Sequence, residues 1–308
     1  SKFFRNQLIE KFIISRPEIK SKMISVDGTR KYLLKLFNGK LIETVYIPDK
    51  GRGTLCISSQ VGCTLNCSFC YTGTQNLVRN LSSSEIVQQL MLVRDDLKEW
   101  EGLKETKGKT RSISNIVLMG MGEPLYNFEA VKKGLAIIMD ETGISISRKR
   151  ITLSTSGIPK LIKKMADDNV QFNLAVSLHA AIQSTRENIM PFAVKFPLDE
   201  LLLSLQYWYE KTGKIVTFEY VVWKGINDDM EHIRALVNYC KKVPSKVNLI
   251  EYNAIGEEQF QQAAPQIIDQ YIEYLTAAHI TATVRRSRGK DIDAACGQLA
   301  NKNQQNTT

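Results

Sequence analysis

The sequence has no run of about 18 consecutive apolar residues, so nothing in it is long enough to cross a bilayer as a helix. Its opening, Ser1-Lys2-Phe3-Phe4-Arg5, is no secretory signal. No oxidising compartment is therefore marked, and a disulfide framework is not expected from the six cysteines. A second Cys-x2-Cys is missing, and so is any His-x3-His pair, which counts against the two-pair zinc sites of small structural domains. There is no internal repeat. Acidic residues are the scarcer sign: 32 against 41 basic ones, a formal charge of +9. That excess is a prior for a polyanionic partner, although many basic proteins bind none. With 308 residues, 43% of them apolar, the chain can bury a sizeable core as one large or two modest domains. The expectation is a soluble, cytoplasmic protein with no membrane partner.

What is present is concentrated in one stretch. Val61-Gly62-Cys63-Thr64-Leu65-Asn66-Cys67-Ser68-Phe69-Cys70-Tyr71 places three cysteines in a Cys-x3-Cys-x2-Cys spacing. Thiolates hold iron–sulfur clusters. Three of them on one loop can hold three irons of a cube and leave the fourth free for another ligand. Zinc and a disulfide knot are the competing readings of the spacing alone.

The remainder alternates in period. A helical pattern over 2–13 puts Phe4, Leu8, Phe12 and Ile13 roughly on one side. Runs at 22–26, 30–37 and 41–47, separated by Asp27-Gly28 and Asn38-Gly39, predict a β-meander. Apolar, β-branched runs follow at 54–59, 115–120, 150–155, 172–177, 216–222 and 246–252, with a further strand at 281–286. Helical stretches lie near 82–99, 128–141, 198–211, 228–242 and 259–278, the first opening on a Ser82-x-x-Glu85 capping box. Strand–helix alternation of this kind implies an α/β fold with a parallel sheet. Residues 102–110 read as a surface loop, and 301–308 as a polar, disordered tail. Reactive groups are expected at the C-terminal strand ends. There Gly120-Met121-Gly122-Glu123-Pro124 would bring backbone close to a ligand, with Glu123 accepting from an ammonium or a hydroxyl. Taken alone, that run is also an ordinary turn.

The three cysteines and six further segments resemble one family. The segments are Ser58-Ser59-Gln60-Val61-Gly62-Cys63, Arg79-Asn80-Leu81, Met119-Gly120-Met121-Gly122-Glu123-Pro124-Leu125, Leu153-Ser154-Thr155-Ser156-Gly157, Val176-Ser177-Leu178-His179-Ala180 and Asp291-Ile292-Asp293-Ala294-Ala295-Cys296-Gly297-Gln298-Leu299. Together they resemble the radical S-adenosylmethionine (SAM) adenosine C2 methyltransferases of ribosomal and transfer RNA. The resemblance implies a partial (β/α)6 barrel preceded by a short N-terminal helix and β-meander. It divides the chain into 1–48 (the end of an accessory domain plus the meander), 49–290 (the barrel) and 291–308 (the C-terminal segment). It implies a 4Fe–4S cluster on Cys63, Cys67 and Cys70, with SAM on the fourth iron and against Gly122, Glu123, Ser154, Ser177, Leu178, His179 and Asn253. Around Asn253 the chain reads Glu251-Tyr252-Asn253-Ala254 where the family more often has Pro-Phe-Asn-Pro; the asparagine itself is kept.

The resemblance also implies a relay. Cys296 carries the methyl group, a 5′-deoxyadenosyl radical activates it, and the resulting carbon radical adds to the electron-poor C2 of adenine. Cys56 then attacks the Cys296 sulfur, leaving a transient disulfide, and Glu43 takes the ring proton. Positive charge from Arg285, Arg286, Arg288 and Lys290 is expected to favour both thiolates. Phosphate contacts are expected from the 148–150 and 285–290 basic runs. The implied partners are ribosomal RNA, transfer RNA and a flavodoxin-type electron donor, with the chain acting as a monomer. Three rivals stand beside this reading: C8-directed methylation by the same chemistry, a non-catalytic cluster-containing RNA-binding protein, and a redox protein cycling Cys56 and Cys296. For Cys240, in an amphipathic helix, a plain core role is expected.

Overall fold

In the computed structural model, residues 2–99, 111–256 and 259–299 are described, so the segments 102–110 and 301–308 fall outside them. Among the described residues ten strands form one sheet, and two short strands, β5 (Gln60–Val61) and β6 (Arg79–Asn80), pair apart from it. The first three are the meander: β1 (Glu18–Ile24), β2 (Arg30–Lys35) and β3 (Leu41–Asp49), all antiparallel. Its tight turns carry Gly28 and Gly39 at φ +83° and +81°, the left-handed region that glycine enters without steric cost. From β4 (Arg52–Cys56) the pairing becomes parallel through β7 (Asn115–Leu118), β8 (Ile151–Thr155), β9 (Asn173–Ser177), β10 (Val216–Val222), β11 (Ser245–Glu251) and β12 (Thr281–Arg285). Parallel neighbours need crossovers, and helices supply them.

After α1 (Lys2–Lys11), the crossovers are α2 (Ser83–Asp96), α3 (Phe128–Met139), α4 (Pro159–Asp167), α5 (Gln183–Ile189) with α6 (Leu198–Thr212), α7 (Met230–Cys240) and α8 (Pro265–Ala277). The described strands and helices thus make six crossovers, the (β/α)6 pattern, with β1 and β12 at the two ends of the sheet.

The core lies between the outer face of the sheet and the helices, with Leu118, Leu153, Leu174, Phe218 and Leu249 fully or almost fully buried. The inner face is different. Register places Ser177, Glu219, Asn248 and Thr283 side by side across β9 to β12, so a polar row lines the hollow of the barrel. The apolar-rich character expected of the strands is thus interrupted on the inner face by this row.

Three further departures have local causes. The helix expected over 259–278 begins at Pro265, because proline fits the first helical turn and not the interior. Helices α4 and α5 were not expected at all. The first is short and lysine-rich, and the second buries Arg186 and Ile189 with no apolar stripe before them. Helix α1 forms where expected but buries none of its residues; Phe4, Leu8, Phe12 and Ile13 are exposed.

At the start of α2 the capping box is present. Ser82 Oγ accepts from Glu85 N–H at 3.2 Å, and Glu85 Oε2 accepts from Ser82 N–H at 2.8 Å. Ser82→Ala is expected to cost about 1 kcal/mol of stability, measured by urea unfolding.

Candidate active site

The loops at the C-terminal ends of the parallel strands enclose a cavity with about 980 Å³ of empty space, its open mouth included. That lies in the range of roughly 300–1,000 Å³ typical of ligand pockets. On its walls the structure brings together Cys63, Cys67, Cys70, Gly122, Glu123, Ser154, Ser177, His179, Asn253 and Cys296, from six separate stretches of chain.

The cysteine loop runs from β5 (Gln60–Val61) and returns to β6 (Arg79–Asn80). Burial pushes the Cys63 thiol up to about 12 and Cys67 well above its ordinary value; neighbouring thiols add to both. Burial raises Cys70 too, although the Gly73 and Thr72 N–H groups pull it back. Among the described residues no group of three or more His, Cys, Asp or Glu is placed to hold a single metal ion. The three thiols share one cavity wall.

Opposite them, Gly120 and Gly122 press against β4's continuation. A Cβ on Gly120 would stand 2.7 Å from the Ile57 backbone, and one on Gly122, at φ +93°, would stand 2.4 Å from Gln60 Cβ. Both glycines line the cavity, and the side chains they lack also leave room for the chain's own loop. That contact fixes Glu123, whose Oε1 accepts from Leu125 N–H at 3.0 Å and Oε2 from Ser156 N–H at 2.8 Å. Burial raises the Glu123 pKa against these bonds.

His179 has φ +58° and packs edge-on to Phe69, ring centroids 4.8 Å apart. Its Nδ1 accepts from Val221 N–H at 3.2 Å, which leaves the proton on Nε2. Burial first, and the charge of Arg186 second, hold its pKa down to about 3. Asn253 donates from Nδ2 to the Cys296 carbonyl at 3.3 Å, while its buried Oδ1 has no partner among the described residues. An orphaned acceptor on a cavity wall is what a bound donor would complete. Leu178 does not belong on this wall. Its side chain is fully buried in the main core, and only its backbone serves the region.

Cys296 is held by a clamp. Tyr71 N–H donates to the Gly297 carbonyl at 2.7 Å and Thr72 Oγ1 to the Leu299 carbonyl at 2.6 Å. Gln298 Nε2 reaches the Ala254 carbonyl at 3.0 Å. From the meander, Lys31 Nζ donates to the Asp293 carbonyl at 3.1 Å, and Asp27 accepts from Gly289 N–H at 3.0 Å. Cys56 lies at the end of β4 and Glu43 on the same face of β3; neither forms part of the cavity wall. Lys31 Nζ stands 3.7 Å from Glu43 Oε1, so one lysine joins that carboxylate to the Cys296 segment.

Charge near the two cysteines differs from the expectation. Arg285 is the cation that acts on both: it is held above its usual value by Cys296 first, then by Glu219 and Cys56. Yet the Cys56 thiol is pushed up to about 12, because burial and Cys296 outweigh Arg285. Arg288 pairs with Asp27 at 3.5 Å, and Lys290 with Glu251, a residue of the cavity lining, at 2.9 Å. Arg148, Lys149 and Arg150 precede β8 and sit at the end of the sheet remote from the cavity.

Sequence reasoning missed Glu219. It is buried, accepts from Asn248 Nδ2 at 2.9 Å, and faces Arg285 Nη1 at 3.6 Å. A charge in the middle of Val-Thr-Phe-Glu-Tyr-Val-Val was the available signal.

An incomplete parallel barrel with three thiols at its open end defines a radical SAM protein, and the sequence model of the radical SAM superfamily matches residues 57–237. The "Probable dual-specificity RNA methyltransferase RlmN" of Flavobacterium psychrophilum is 52% identical over 302 residues, 98% of this chain and 85% of that protein. The "Dual-specificity RNA methyltransferase RlmN" of Paracoccus denitrificans is 49% identical over 300 residues, 97% and 76% of the two. The crystal structure of a radical SAM methyltransferase from Sphaerobacter thermophilus superposes with a TM-score of 0.88 at 37% identity, covering 97% of this chain and 85% of that one. The chain belongs to the RlmN family of dual-specificity RNA methyltransferases. It is a SAM-dependent enzyme whose cofactors are a 4Fe–4S cluster and SAM.

The histidine makes a pH prediction. Unfolded chain binds the His179 proton near 6.5 and folded chain only near about 3, so stability is complete above pH 6.5 and falls as pH drops between the two. In urea titrations His179→Gln is expected to flatten that slope by up to one proton.

Proposed function

We propose that this chain methylates C2 of an adenosine in large-subunit ribosomal RNA and in transfer RNA, through an S-methylcysteine at Cys296. The carrying observation is the placement of Cys296 on the same cavity wall as Cys63, Cys67 and Cys70, with Cys56 close behind. Cys63, Cys67 and Cys70 would hold the cluster. Glu123, Ser154, Ser177, His179 Nε2 and Asn253 Oδ1 would hold SAM, with Gly122 shaping the wall. The bound cluster and SAM supply the methyl group and the radical chemistry that an electron-poor ring carbon requires.

The chain's own groups do the rest. Cys296 carries the methyl in transit, a covalent relay that divides one hard step into two. Cys56 displaces the product by attacking the Cys296 sulfur, and both sulfurs end in a disulfide. Arg285, fixed by Glu219 and by Met119 Sδ at 3.2 Å, supports negative charge on either sulfur. Glu43 is the group proposed to take the ring proton, and Lys31 would orient it. Phe69 and Tyr252 on the cavity wall, backed by Trp223 and Phe260, limit water.

The target adenosine must be unstacked to enter, so loop and single-stranded positions suit the site. The division of labour along the chain goes with this reading: 1–48 as support, 49–290 as the cofactor barrel, 291–308 as the carrier segment. A monomer acting in the cytoplasm with a flavodoxin-type reductant completes the proposal. Among the described residues no helix is long and apolar enough to cross a membrane.

Two variants and one assay test it. With cluster-loaded protein and RNA, digestion should yield 2-methyladenosine. Cys296→Ala should lower the yield by more than about a thousandfold, as loss of a covalent nucleophile does. Cys56→Ala should methylate Cys296 normally but leave RNA attached to it, seen as a slow-migrating band. An 8-methyladenosine product would shift the assignment to the C8 reaction, and full activity of Cys296→Ala would end the relay.

A further inference from the structure

Arg186 on α5 is fully buried and pairs with no carboxylate among the described residues. Its Nε donates to the Leu178 carbonyl at 3.1 Å, and its Nη2 to the carbonyls of Ser156 at 2.6 Å and Ser177 at 3.4 Å. Nη1 is buried with no partner among the described residues. The guanidinium carbon lies 5.4 Å from the centre of the Phe192 ring. A buried cation without a counter-charge is costly, and carbonyl dipoles offset only part of that cost.

Burial lowers the Arg186 pKa to about 10, which still leaves the guanidinium charged at neutral pH; two ionisable groups oppose that fall, Tyr239 and Cys67. The Tyr239 hydroxyl donates to the Leu198 carbonyl at 3.0 Å and is raised above its ordinary value by burial, so it stays neutral. Cys67 is left.

The geometry agrees. Ser68, next to Cys67, donates from its N–H and its Oγ to the Ile189 carbonyl at 3.2 and 3.1 Å. Met190 N–H closes the last turn of α5 on the Arg186 carbonyl at 2.8 Å. Cys63, Cys67, Ile189 and Met190 share one apolar cluster. The end of α5 is thus clasped to the cysteine loop, and it brings a permanent cation with it.

We propose that Arg186 is the internal counter-charge of the cluster site: it offsets the negative charge of the thiolate-held cube and eases the uptake of one electron. The inference rests on the reading that Cys63, Cys67 and Cys70 hold that cube. A cluster bound by three thiolates is anionic, and an electron delivered by a low-potential reductant makes it more so. In a water-poor wall, fixed positive charge stabilises the reduced form more than the oxidised one. Net charge and surroundings are among the levers that set such potentials. Arg186 is a positioning and tuning residue, not one that touches substrate.

The test uses the full chain, anaerobically reconstituted, without SAM, titrated with dithionite and followed by EPR. Arg186→Gln keeps donors for the strand-end carbonyls and removes the charge; Arg186→Lys keeps the charge. Arg186→Gln should lower the equilibrium constant for reduction at least tenfold, ~59 mV for a one-electron couple. Arg186→Lys should remain within about twofold of wild type, ~18 mV on the same scale. Loss of the cluster in Arg186→Gln alone, with Arg186→Lys intact, also supports the charge. A cluster-loaded Arg186→Gln at the wild-type potential overturns the proposal. So does equal loss of the cluster in both variants, which would assign Arg186 to the carbonyls only. Wild-type protein that assembles no EPR-active cluster overturns the functional reading itself, and this inference with it.

Discussion

Two hydrogen bonds join the beginning of this molecule's chemistry to its end. Tyr71 N–H to the Gly297 carbonyl and Thr72 Oγ1 to the Leu299 carbonyl fasten the cysteine loop to the C-terminal segment. Cys296 lies on an irregular stretch with no helix or strand of its own to fix it, so its place depends on that fastening. A second anchor comes from the meander, through Lys31 and Asp27. The antiparallel strands at the start of the chain therefore help to hold the carrier segment against a barrel built from everything between.

Much of the fold was legible because its elements carry strong local signals. Two glycine turns marked the meander, β-branched runs marked the parallel strands, and Ser82-x-x-Glu85 marked α2. Helix α5 was not legible for a physical reason. Its inward face is Arg186 and Ile189, so the stripe that ordinarily reveals a surface helix is replaced by a buried charge. Pro265 carried the true start of α8, and that rule was available in the sequence. The polar inner face of the barrel was hidden for another reason. In β10 the outward residues are large and apolar, and Glu219 on the other face reads as an isolated charge until register sets it beside Ser177 and Asn248.

The site was legible as a set of residues but not as an electrostatic arrangement. Motif spacing delivered the three thiols, Glu123, His179 and Asn253 to one cavity. It could not show that Gly122 packs on Gln60, that Leu178 turns away into the core, or that Arg148, Lys149 and Arg150 lie at the far end of the sheet. Burial governs what charge can do here. It outweighs Arg285 at Cys56 and keeps His179 neutral. Among the described residues, Arg186 and Arg285 are cations whose charge acts on the thiols, the first on Cys67 and the second on Cys296 and Cys56.

Mössbauer spectroscopy of the anaerobically reconstituted protein, before and after SAM, tests the central claim most directly. One iron of a four-iron cluster should be distinguishable from its three thiolate-bound neighbours, and its signal alone should change when SAM is added. Four irons that are equivalent and indifferent to SAM, or zinc in place of iron on Cys63, Cys67 and Cys70, would contradict it.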